Sequence, residues 1–118
     1  MMEKTVVEVF GTGAARLASG ATTPESGLFI PDSALEDAGL ATPATATAEG
    51  HLAAILVGAQ STLTQAGYDA NIDQSLYLLP GFTSFVSRGV DNDSYRVDQI
   101  TVSLAKLDTG STIDPGAY

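Results

Sequence analysis

Three oxygen-bearing side chains at alternate positions, Asp69, Asn71 and Asp73, have the types and spacing that best suit a hard cation. This spacing matches the start of an EF-hand loop, in which several such oxygens converge on calcium. The later positions differ, because Gln74 stands where the loop needs glycine and Pro80 where it needs a bidentate glutamate. We therefore expect a polar turn between a helix and a strand and no bound cofactor, with calcium binding at Asp69, Asn71 and Asp73 as the alternative.

A glycine pair, Gly11 and Gly13, follows a short apolar run and is similar to the start of a phosphate-binding turn. The dinucleotide fingerprint G-x-G-x-x-G also needs a third glycine and a full helix, but Arg16 takes the third position and Pro24 interrupts the next segment. A P-loop is excluded because no Gly-Lys-Ser/Thr follows. We expect these glycines to supply backbone angles that other residues rarely adopt.

The single histidine, His51, is the only candidate for a general base of the imidazole type, and the chain has no cysteine. One histidine without cysteine excludes a multi-histidine or thiolate zinc site. No serine lies in a G-x-S-x-G elbow. We expect His51 to be an exposed polar residue at a helix start, and we assign no catalytic residue. The alternative is a small hydrolase or ligand-binding protein with a site built from loops around Gly11, Asp69 and Asp91.

Fourteen acidic and five scattered basic residues give a net charge of −9. Nucleic acids and anionic membranes both bind clustered cations, so neither is an expected partner. No apolar run reaches the roughly 20 residues that span a bilayer, and no secretory signal is present, which favours a cytoplasmic or virion-associated protein. The acidic composition, rich in Ala, Thr, Gly and Ser, is compatible with small proteins of marine bacteria or their phages.

In the first half of the chain, β-branched and apolar runs predict three short strands, at residues 5–10, 14–18 and 28–30. Ser33 and Glu36 have the spacing of a capping box, and Gly39 is a typical helix stop. The sequence therefore predicts a short helical turn at about residues 33–38.

One main helix is predicted at about residues 48–66. Thr45 or Thr47 would cap its start and Gly67 would end it. Its apolar residues recur at helical spacing, which predicts one buried face: Leu52, Ile55, Leu56, Ala59 and Leu63.

The second half predicts three antiparallel strands, at residues 75–79, 82–88 and 95–107. Pro80-Gly81 indicates a turn between the first two, and residues 89–94 form a loop before the third. Alternation of Ile100, Val102 and Leu104 with polar residues predicts one buried face and one face that is either exposed to solvent or covered by another subunit. Phe82 and Phe85 would face opposite ways in a regular strand, which indicates either a bulge or two covered faces.

Together these elements predict an α+β fold, with a mainly antiparallel sheet of about five to six short strands packed against the main helix. We expect one domain over residues 1–107 and a polar tail over residues 108–118. The small core, the open strand edges and the lack of a catalytic set favour a non-enzymatic structural or assembly module that forms homo-oligomers. The loop-built site and a divalent-cation-binding protein are the alternatives.

Overall fold

The computed structural model describes residues 3–23, 25–108, 110 and 112–118. They form two compact units, one up to Gly58 and one from Ala59 onward. The first contains helices α1 (Val6–Phe10) and α2 (Asp32–Asp37), a 3₁₀ turn (Pro43–Thr45) and most of helix α3 (Ala48–Thr62). The second contains helix α4 (Gln65–Ala70), strands β1 (Leu76–Arg88) and β2 (Asp93–Leu104) and a 3₁₀ turn (Pro115–Ala117).

Helix α1 occupies the segment that we predicted as the first strand. A capping box sets this conformation, because the Thr5 hydroxyl accepts from the Glu8 amide while the Glu8 carboxylate accepts from the Thr5 amide. The hydrogen bond from the Thr5 backbone amide holds the pKa of Glu8 below its ordinary value, and a hydrogen bond with the Thr5 hydroxyl adds to this effect. The strand prediction was wrong because β-branched propensity was given more weight than this local cap.

The prediction of a helical turn at 33–38 is confirmed by α2, which begins one residue earlier. The expected Ser33 cap does not form, since the helix starts after Pro31 without a side-chain cap. Gly39 does end the helix: it has a φ of 110°, its amide donates to the Glu36 carbonyl, and the Leu40 amide donates to the Leu35 carbonyl. These two bonds form a Schellman motif, which satisfies carbonyls at the helix end. The strands expected at 14–18 and 28–30 are wrong, since both segments lack a strand ladder.

Helix α3 is the predicted main helix, but it is shorter than expected. Thr47 caps its start, with its hydroxyl 3.0 Å from the Gly50 amide. The helix ends at Thr62 because Thr64 caps a separate helix, α4, through the Gly67 amide. Gly67 therefore lies inside α4, and the prediction that it ends the main helix is wrong. The buried residues of α3 are Ala48, His51 and Ala54, whereas Leu52 of the predicted face is exposed.

Strands β1 and β2 pair antiparallel as a two-stranded sheet, so the expected five to six strands are wrong although the mixed α+β class with an antiparallel sheet is confirmed. The pairing shifts between Pro80 and Thr83, where β1 carries one extra residue. Pro80-Gly81 is therefore part of a β-bulge and not a turn, and the two predicted strands on either side are one strand. The connection of β1 to β2 is the predicted loop, with Gly89 and Asn92 at positive φ.

Contacts with α4 and the segment before it hold only the base of this hairpin. The Leu78 amide donates to the Leu63 carbonyl at 2.9 Å, and the Tyr68 and Tyr77 rings have centroids 4.8 Å apart. The Gln74 amide group donates to the carbonyls of Thr64 and Leu76. The start of β1 is therefore fixed, and the rest of the hairpin extends away from α4.

The hydrophobic core is small. Hydrophobic residues make up 44% of the chain. Among the described residues only four of them are buried, Leu35, Ala48, Ala54 and Leu78, and none of the larger side chains is fully buried. Folding of one copy thus removes few apolar side chains completely from water, although such burial is the dominant favourable term in folding.

Candidate association surface

The distal hairpin, defined here as residues 80–88 and 93–100, exposes both of its faces. Register and the bulge place Phe85 opposite Arg96 on one face, which we name the Phe85 face, and Val86 opposite Tyr95 on the other, the Tyr95 face. Phe85 is 69% exposed, and Phe82, which lies in the bulge, is 84% exposed. The face of β2 that was expected to be buried is not buried either, because Val102 and Leu104 are 38% and 41% exposed.

Exposed apolar side chains continue along both strands. Besides the two phenylalanines, the exposed large hydrophobic residues of the sheet are Leu79, Val86, Tyr95, Val97, Val102 and Leu104. Single exposed apolar residues are common, but eight of them on the two faces of one hairpin are more typical of a surface that binds another molecule.

The two charged side chains on the Phe85 face, Arg96 and Asp98, form an ion pair and neutralise each other. The Arg96 Nε donates to the Asp98 carboxylate at 2.9 Å, and the Thr83 hydroxyl donates to the same carboxylate at 3.0 Å. The hydrogen bond from Arg96 holds the pKa of Asp98 below its ordinary value, and the hydrogen bond from Thr83 has a smaller effect in the same direction. On the other face the Arg88 guanidinium lies 5.4 Å from the centre of the Tyr95 ring.

The hairpin is nearly neutral in a strongly acidic chain. Residues 76–104 hold two basic and three acidic side chains, which gives −1, whereas the whole chain carries −9. Most of the charge that would repel a second copy therefore lies outside the hairpin.

A second polar cluster, in the first unit, consists of Arg16, Asp32 and His51. The Arg16 guanidinium lies 2.7 Å from Nε2 of His51 and 2.9 Å from both carboxylate oxygens of Asp32. Nδ1 of His51 lies 2.7 Å from the Thr47 carbonyl. Because guanidinium only donates and the carbonyl only accepts, these contacts assign the proton of a neutral ring to Nδ1.

His51 is only 8% exposed, so the expectation of an exposed histidine is wrong. Both ring nitrogens have partners, and the side chain joins α3 to the irregular segment that holds Arg16. Sequence reasoning missed Arg16 and Asp32 because no local pattern relates residues 35 and 16 positions apart.

The predicted cation residues lie at the end of α4. Asp69 is in the helix and Asn71 follows its last residue. The Asn71 side-chain oxygen accepts from the Asp73 amide at 3.0 Å, which is an Asx turn. Within the described ranges, no three or more His, Asp or Glu side chains are grouped so that they could hold a metal. Calcium binding here remains the untested alternative.

The loops of the alternative site do not meet within the second unit. Asp69 is at the base of the hairpin and Asp91 is in the loop at its tip, so the 13 residues of β1 separate them by about 40 Å. Gly11 and Gly13 follow helix α1 and have φ values of 107° and 90°. The prediction that they supply unusual backbone angles is confirmed, although they follow a helix instead of a strand.

Comparison with known proteins gives no relative: no family model, curated protein or solved structure matches the chain. In the part of the chain that the structure describes, every helix is too short or too polar to cross a bilayer.

Proposed function

We propose that this chain is a non-enzymatic structural module that associates with copies of itself, and that the β1–β2 hairpin is its contact surface. The observation that carries the proposal is the exposure of the distal hairpin on both faces. An isolated two-stranded hairpin is at best marginally stable in water, and needs further strands or a packed helix for stability. Here α4 packs only against the base of the hairpin. The distal residues therefore need further strands or packed side chains, which one copy does not supply.

The near-neutral charge of the hairpin favours a second copy of the chain as the molecule that supplies these contacts. Copies with a charge of −9 repel each other, but contact through a region of −1 keeps most of the acidic residues apart. Association of identical surfaces around a two-fold axis is also the commonest route to oligomers.

The hydrogen bonds of His51 support a structural role for the one imidazole. A general base needs a free ring nitrogen within reach of a substrate proton. Arg16 occupies Nε2 and the Thr47 carbonyl occupies Nδ1, so catalysis would require one of these bonds to break.

Sedimentation velocity across a range of protein concentrations tests the proposal. We expect a species of at least twice the 12.1 kDa chain mass, whose fraction rises with concentration. A single 12.1 kDa species at the highest concentration would overturn self-association.

A further inference from the structure

The two outer edges of the hairpin differ in how they are protected. On β1, the Leu78 amide points outward to the Leu63 carbonyl, and Pro80 has no amide hydrogen to offer. The bulge at residues 81–82 further distorts this edge. Prolines and bulges are the devices by which proteins prevent strand edges from pairing.

Strand β2 has none of these devices on its outer edge. Residues 99–105, with the sequence QITVSLA, have no charge, proline or glycine. Among the described residues, no backbone hydrogen bond reaches that edge. Uncharged segments of this length with high β propensity pair readily with copies of themselves.

The hydrogen-bond pattern identifies which groups of β2 are free. Leu78 is opposite Val102, and the Leu78 amide points away from β2. In an antiparallel pair, opposite residues either both bond across the ladder or both point outward. The amide and carbonyl of Val102 therefore point outward, and so do those of Ile100 and Leu104, two residues away on each side.

We propose that two copies pair their β2 edges antiparallel around a two-fold axis at Val102, which makes a continuous four-stranded sheet with the order β1-β2-β2-β1. This proposal rests on the proposed function and assigns one contact to it, an edge contact at residues 100–104 that adds strands to the hairpin and leaves its two faces to other contacts. Val102 then exchanges hydrogen bonds with Val102 of the second copy, and Ile100 pairs with Leu104. The same axis sets Asp98 opposite Lys106 of the second copy, a pairing of opposite charges.

The two-fold symmetry makes this assembly finite. Both copies use the same β2 edge, so the contact at residues 100–104 of one copy is occupied once the second copy has paired. On the opposite side of the sheet at this level, the β1 edges carry Pro80, the bulge and the Leu63 contact, which disfavour further pairing.

Val102→Pro and Val102→Ala form a matched pair that tests the contact. Both remove the branched valine side chain, but only proline removes the outward amide hydrogen, a change that edge strands tolerate. We expect V102P to raise the dimer Kd about 30-fold, since two hydrogen bonds are lost per dimer, while V102A changes it much less. Equal association of V102P and V102A in sedimentation would overturn the edge contact but leave self-association standing. A monomeric wild type would overturn both.

Cross-linking gives a second test that does not need V102P to fold. The chain has no cysteine, so Val102→Cys and Ser94→Cys each introduce one thiol. The proposed axis sets the two Val102 Cα atoms about 5.5 Å apart, within disulfide range, and the two Ser94 Cα atoms about 50 Å apart. Oxidation should convert most V102C to covalent dimer and leave S94C monomeric. Dimer formation that is equal in the two variants, or absent from V102C, would overturn the register.

Discussion

Replacement of Arg16 by methionine tests the role of the polar cluster in the first unit. Methionine keeps an unbranched apolar stem but removes the guanidinium that contacts His51 at 2.7 Å and Asp32 at 2.9 Å. The ion pair with Asp32 contributes little, because the side chains are 29% and 48% exposed and solvent screens the charges. Such partly exposed pairs are worth about 0.2–1 kcal/mol.

The contact with His51 accounts for most of the expected loss. His51 is buried, so removal of its donor leaves Nε2 without a partner, which costs about 1–3 kcal/mol. We expect R16M to lower the free energy of unfolding of this unit by about 2–3 kcal/mol in all, a large fraction of the 5–15 kcal/mol of an ordinary domain. The urea midpoint should fall by about 1 M or more.

The assay uses the single histidine as its probe. Nuclear magnetic resonance of the His51 ring follows unfolding of this unit directly, because no other imidazole contributes. The nitrogen shifts should also show the proton on Nδ1. Asp32→Asn is the matched control: it removes the ion pair but keeps the donor to His51, and should cost less than about 1 kcal/mol. A midpoint for R16M equal to that of the wild type, or a larger loss in D32N, would refute the reasoning.

Three further predictions concern other elements. Gly81→Ala should destabilise the hairpin by about 1–3 kcal/mol in thermal or urea unfolding, because its Cβ would lie 2.8 Å from a side-chain carbon of the opposite strand. Gly27→Ala, with nothing within 4 Å, should cost much less, and equal losses would contradict the bulge geometry. The pKa of Asp98 lies below its ordinary value, so its contribution to stability is full above pH 3.8 and is lost as the pH falls below that value through the folded pKa. Arg96→Gln should return the carboxyl titration in NMR toward 3.8, and an unchanged titration would contradict this cause. Calcium should leave the Tm unchanged, because the Asn71 oxygen already accepts a hydrogen bond, whereas a rise would indicate a cation site at residues 69–73.

Local signals predicted several elements of this fold well. Gly39 ends α2 and Thr47 caps α3 as expected, because each acts on backbone groups a few residues away. Helix α1 carried such a signal too, in Thr5 and Glu8, but the β-branched residues between them suggested a strand. In a segment of five residues, the helix cap determines the conformation and the β propensity of the individual residues has less effect.

Contacts between distant residues were not predictable in the same way. Pro80-Gly81 is typical of a turn, but Pro80 lies where its missing amide is not needed by the ladder, so the strand continues past it. The Arg16–His51 contact joins residues 35 positions apart, and only the folded chain brings them together. The uncharged edge segment at residues 99–105 was visible in the sequence, but its openness followed only from the strand order.

Hydrogen–deuterium exchange of the hairpin at low and high protein concentration tests the central claim most directly. If copies cover the hairpin, the outward amides of Ile100, Val102 and Leu104 should exchange more slowly as concentration rises. The amides of α3 serve as the internal reference and should not change. Exchange of the hairpin amides at the same rate at every concentration would contradict the account.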